Sequence, residues 1–218
     1  MQVTIFKNVF DKTNPHHIPL ETALQRIQTG KSFTLVSDVR GGNKEKKLEL
    51  PVVCFSGEFS SRADDALFEH SGFIVLDFDH VDVEATKRSL ATDDFIQSCW
   101  TSPSGGGVKA LVKITNPERH RDHFRALIKY FERTHGLELD ESGINESRAC
   151  FESYDPDIII KDEYKKFGHF TTEMAEAQVP TNEAYDHTDY MKLNLAARMI
   201  RQAQDGEKWI TLNRAAIL

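Results

Sequence analysis

Little in this chain points to cross-links, membranes or repeats. Its three cysteines, Cys54, Cys99 and Cys150, are odd in number, far apart and form no CxxC pair, which argues against a disulfide framework or a zinc knuckle. Each is expected to be a small buried hydrophobe. No apolar run approaches the ~20 residues a membrane helix needs; the longest, near Phe73 to Leu76, is strand-sized. The first residues, Met1 to Lys7, lack a basic-then-apolar signal layout, so no membrane partner and a cytoplasmic location are expected. There is no G-x-S-x-G elbow, no dinucleotide fingerprint, no catalytic Cys/His pair and no internal repeat. With 12 glycines and 7 prolines among 218 residues, the sequence is neither collagen-like nor of low complexity. What remains is 39% hydrophobic and 28% charged, enough for a soluble globular fold with a sizeable core. The net charge of −7 argues against a surface coated in positive charge, while leaving room for a local basic groove. An acidic excess also accords with carboxylates gathered to hold divalent metal.

Periodicity divides the chain. Val3, Ile5 and Val9 alternate like a first strand, and Leu20, Ala23, Leu24 and Ile27 have the spacing of an amphipathic helix capped by Gly30. Gly41 to Lys47 reads as an exposed loop whose lysines are solvated, and Pro51 to Phe55 as a buried strand. Ser60 or Ser61 is placed to cap a short helix from Ala63 to Phe68. Gly72 to Asp79 is an uninterrupted apolar run that ends in two acids, as in a strand covered on both faces, and Asp82 can cap the helix after it. Trp100 to Ser102 and Val108 to Ile114 read as strands joined by a glycine-rich loop. In the second, Val108, Ala110, Val112 and Ile114 face the core, so Lys109 should face outward.

Asn116-Pro117 opens a helix that Gly136 stops, and Leu137 to Asp140 and Ala149 to Phe151 read as short strands. His16, His17, His120 and His123 are expected at the surface. The pattern predicts an α+β fold with a mixed or antiparallel sheet and helices packed on it. Residues 1–166 form its main domain and 167–186 a linker. Residues 187–218 read as the start of a helical module, with the natural protein expected to continue.

Three clusters can carry chemistry. Asp77 and Asp79 lie at i and i+2 of one strand, with α-carbons roughly 6.6 Å apart and both carboxylates on one side. With a third acid they could hold two Mg²⁺ or Mn²⁺ ions ~4 Å apart for phosphoryl transfer; alternatively they end a strand and cap a helix. Ser104-Gly105-Gly106-Gly107-Val108-Lys109 could offer backbone amides, a hydroxyl and an ammonium to phosphate, or be a flexible hairpin turn; it lacks the Walker A layout. Asp140 ends a short strand as a third acid, and Arg148 follows, able either to clamp a phosphate or to pair with a nearby acid.

In this order the elements resemble the archaeo-eukaryotic primase superfamily, most closely bacterial and phage primase-polymerase domains of the VirE N-terminal-like group. Ile74-Val75-Leu76-Asp77-Phe78-Asp79 resembles its apolar strand ending in Asp-x-Asp. Ser104 to Lys109 resembles its second motif, except that lysine stands where histidine is usual, and Asp140 resembles its third. The resemblance covers roughly Pro51 to Asp157, and Leu193 to Leu218 looks like the start of a helical primase C-terminal module. It implies an RRM-like core and a DNA primase-polymerase, a template-dependent nucleotidyltransferase serving a mobile element or phage. Asp77, Asp79 and Asp140 would be the catalytic metal ligands, for Mg²⁺ or Mn²⁺. Ser104, Gly105, Gly106, Gly107, Lys109 and Arg148 would bind the nucleoside triphosphate. Single-stranded or primed DNA would be the template, with a helicase downstream as a further partner. A catalytically silent nucleotide- or nucleic-acid-binding module of the same fold is the alternative, and Lys109 is its main support.

Overall fold

The computed structural model describes residues 1–169. In chain order its elements are β1 (Gln2–Phe6), β2 (His16–Pro19), α1 (Leu20–Thr29), α2 (Phe33–Arg40), β3 (Val52–Cys54), β4 (Gly57–Phe59) and β5 (Leu67–His70). There follow β6 (Phe73–Asp79), α3 (Val83–Ala91), β7 (Ile96–Thr101), β8 (Gly107–Lys113), α4 (His120–His135), β9 (Cys150–Phe151) and β10 (Ile159–Ile160). The fold is α+β, but the strands form two four-stranded sheets where one was expected. The first has the order β2-β1-β3-β9 and the second β10-β7-β8-β6, with every pairing antiparallel. β4 and β5 make a separate hairpin.

The period of two along β6 explains the layering. Ile74, Leu76 and Phe78 pack with Val108, Ala110 and Val112 of β8 against Leu90 of α3 and Phe124, Leu127 and Phe131 of α4. Phe73 and Val75 turn the other way, with Trp100 and Leu111, onto Val3, Ile5 and Val53 of the first sheet, Phe55 just after β3 and the apolar stripe of α1. Both faces of β6 are therefore covered, as its unbroken apolar run implies. The same parity corrects the reading of Lys109. It points away from the α4 side, but that face is covered by the first sheet, and the lysine is only 7% exposed.

Local signals held where they were strong. Gly30 and Gly136 end α1 and α4 in the left-handed conformation, and the Asp82 carboxylate accepts the Ala85 amide at the start of α3. The segment read as a helix from Ala63 to Phe68 is instead a single 3-10 turn, Asp64–Ala66, followed by β5, where Leu67 pairs with Phe59 of β4. α2 was not anticipated. Lys44–Glu49 is a 3-10 helix and not an open loop. Leu137 to Asp140 is not a strand: it forms no ladder, although the Asp140 amide donates to the Asp77 carbonyl at 3.0 Å. Phe167, where a linker was expected to begin, is buried in the α4 core. From residue 170 on, the expected linker and the whole helical module lie outside the described residues. No helix among the described residues is long and apolar enough to cross a membrane.

All three cysteines are buried and unpaired, and burial pushes their thiols up, Cys54 and Cys99 to about 12 and Cys150 to about 11. They are unreactive apolar side chains. His120 and His123, expected at the surface, are 2% and 0% exposed, because the β4–β5 hairpin and the segment ending at His169 cover that flank of α4. The His70 Nε2 and His120 Nδ1 nitrogens share a hydrogen bond of 3.0 Å, and burial lowers these residues to about 4 and about 3. Their surroundings include His123, Arg121, Asp64 and Glu118, none of which offsets the burial.

Both imidazoles are neutral in the folded state at a pH where the unfolded chain, titrating near 6.5, takes up protons. Stability is therefore full above about pH 6.5 and is lost as pH falls toward 4. Urea denaturation at pH 5 should show about 4 kcal/mol less stability than at pH 7.5, about 2 kcal/mol from each imidazole. His120→Gln should roughly halve that dependence, and a midpoint that does not move in the parent would contradict it.

Candidate functional site

Where β6 emerges from the core, its last odd-numbered side chains are Asp77 and Asp79. Asp77 lies directly across from Lys109 in the β6–β8 register, and the two side chains form an ion pair. Asp140 arrives from another part of the chain, held at β6 by its amide on the Asp77 carbonyl. Ligand atoms of Asp77, Asp79 and Asp140 all lie within 4.8 Å of one another. The three expected acids thus converge, although Asp140 comes from an irregular segment.

Two cations sit among them. Lys109 is held by Asp77, and Arg148 reaches Asp140 Oδ2 at 2.7 Å and Asp77 Oδ2 at 3.9 Å while also donating to the Ser142 hydroxyl at 2.6 Å. Burial works against the Lys109 ammonium, but Cys150 and the charge and hydrogen bond of the Asp77 carboxylate outweigh it, so its pKa stands above the ordinary lysine value. Burial raises Asp140, yet bonds from Ser142 and the Arg148 charge carry it below the usual carboxylate range. At neutral pH the cluster holds charged groups of both signs. One atom is left over: Asp77 Oδ1 is buried and has no hydrogen-bond partner among the described residues.

The loop between β7 and β8 forms another side of the site. The Ser102 amide donates to the Gly107 carbonyl and the Gly105 amide to the Ser102 carbonyl, which makes it a tight hairpin. Gly105 has φ +79°, and a Cβ on Gly107 would lie 2.7 Å from the Phe78 carbonyl oxygen, so both positions favour glycine. Arg40 of the unanticipated α2 steadies the loop, donating to the carbonyls of Ser102 and Tyr154.

Asp77, Asp79, Asp140, Ser104, Lys109 and Arg148 all line one cleft of about 520 Å³. From the loop the lining residues are Ser102, Pro103 and Ser104; Gly105 spends its amide inside the turn, and Gly106 and Gly107 lead into β8. Lys47 and Arg62 also line the cleft and had no sequence signal. Lys47 stands in a lysine-rich stretch that resembles any solvated turn, and Arg62 lies just before the segment Ala63 to Phe68, whose pattern predicts a helix.

Fold and site define an α+β domain with a carboxylate cluster and several cations in one cleft. A family described as the BT4734-like N-terminal domain matches residues 45–159, more than half of the chain, and the chain belongs to that family. The matched region takes in every acid and cation named in the cleft and leaves β1, β2, α1 and α2 outside. No curated protein and no solved structure matches the chain.

Proposed function

We propose that this cleft is the active site of a metal-dependent, template-directed nucleotidyltransferase of the primase-polymerase kind, acting in replication of a mobile element or phage. The observation that carries the reading is the convergence of Asp77, Asp79 and Asp140. Their chemistry suits Mg²⁺ or Mn²⁺: all three donors are carboxylates, and Asp77 Oδ1 is a buried oxygen that no donor among the described residues satisfies. Divalent cations bound there would supply the positive charge that activates a 3′-hydroxyl and stabilises the departing pyrophosphate. Lys109 and Arg148 orient the acids and moderate their mutual repulsion, and Ser104 offers a hydroxyl to the incoming nucleoside triphosphate. The partners on this reading are that nucleotide, single-stranded or primed DNA, and a downstream helicase.

One observation favours a second reading. Lys109 already supplies a resident cation to Asp77, which suits a catalytically silent module that binds nucleotide or nucleic acid. Incubation with Mn²⁺, a primed template and labelled deoxynucleotides separates the two. Extended products are expected. Binding of nucleotide with no product, with or without primer, would establish the silent module instead.

A further inference from the structure

Among the cations of the cleft, Lys109 and Arg148 are committed to Asp77 and Asp140. Lys47 and Arg62 are not: among the described residues neither has a carboxylate oxygen within 4.0 Å. Lys47 Nζ lies 5.2 Å from the centre of the Phe151 ring, a contact that holds an ammonium without neutralising it. Arg62 donates one Nη2 hydrogen bond to the Val9 carbonyl, while its Nε–H is buried without an acceptor among the described residues. A buried guanidinium donor with no partner is costly unless something fills the gap.

A bare metal ion would be repelled by these two side chains, and a bare anion by the three carboxylates. The ligand that satisfies both is an anionic group that brings cations with it, such as a metal-chelated polyphosphate. The cleft volume of about 520 Å³ is of the size that encloses a small ligand.

We infer that Lys47 and Arg62 grip the terminal phosphates of the nucleoside triphosphate, a task that sequence motifs would have given to Lys109 and Arg148. This assignment rests on the nucleotidyl-transfer reading. Charge-assisted bonds to phosphate are strong enough for each side chain to matter separately.

Inorganic triphosphate is the probe, titrated calorimetrically into the full chain with and without saturating Mn²⁺. The parent should bind it, and Lys47→Ala and Arg62→Ala should each weaken binding about tenfold. Lys44→Ala, which removes an exposed charge from the same segment outside the cleft, should stay within about twofold. Affinity for Mn²⁺ alone should not weaken in Lys47→Ala. Because Arg62 also anchors Val9, Lys47→Ala is the decisive variant: its side chain makes no hydrogen bond to a described residue. A parent that binds triphosphate while both variants bind it equally well overturns the assignment and leaves the nucleotidyl-transfer reading standing. A parent that binds no triphosphate in either condition overturns both.

Discussion

Primer extension by Asp79→Ala is expected to fall by about 10³-fold or more, with stability to urea within about 0.5 kcal/mol of the parent. Asp79 is exposed, and its carboxylate accepts no hydrogen bond from a described residue, so folding does not depend on it. On the proposed reading, its place within 4.8 Å of Asp77 and Asp140 would make it a metal ligand whose loss removes several kcal/mol of transition-state stabilisation, and each 1.4 kcal/mol is tenfold in rate. Removing one of three clustered carboxylates also relieves repulsion in the metal-free protein. Steady-state extension measured beside urea denaturation tests both halves. A variant that extends primers like the parent would show that the acids are not the reacting centre.

Asp77→Ala should behave differently, because Asp77 has a structural duty that Asp79 lacks. It is the counter-charge of Lys109, an ammonium 7% exposed between two sheets. Cutting back the carboxylate strands that charge, and breaking one side of a buried pair costs about 3 kcal/mol or more. The double variant Asp77→Ala with Lys109→Met replaces both charges by apolar groups and should recover most of the lost stability while remaining inactive. Urea midpoints of the parent, single and double variants decide the matter. An Asp77→Ala protein as stable as the parent would mean that the Lys109–Asp77 pair contributes nothing net.

The same division of labour recurs in the acids after β9. Asp155 accepts the Lys87 ammonium at 2.7 Å together with the Thr101 amide and hydroxyl, which ties α3 to β7. Glu152 accepts Arg26 and Ser32. Those carboxylates are more deeply buried than the cleft acids, yet hydrogen bonds satisfy them. The unpartnered Asp77 Oδ1 is what separates the candidate site from these structural pairs.

Legibility followed the range of the interaction. An unbroken run from Phe73 to Leu76 announced a strand covered on both faces, and the glycines at 30 and 136 announced two helix ends, because these depend on residues a few positions apart. The two acids at i and i+2 were readable as sharing a side for the same reason. Errors arose where distant segments met. His120 and His123 looked like surface residues because nothing within their own helix shows that the β4–β5 hairpin and the segment ending at His169 will cover them. Residues 63–68 looked helical because β4, their pairing partner, lies in a separate short segment.

By itself, then, the sequence determined the strand that ends in Asp77 and Asp79, the hairpin that carries Lys109, and the parity that sets this lysine away from the α4 core. Each follows from backbone periodicity, which is local. Only the tertiary structure decided that the opposite face is roofed by a second sheet, that Asp140 is pinned to the Asp77 carbonyl, and that Lys47 and Arg62 enter the same cleft. Those contacts join segments tens of residues apart, and chain-closing contacts of that kind are fixed by packing and hydrogen bonding across the whole domain, not by the spacing of neighbours.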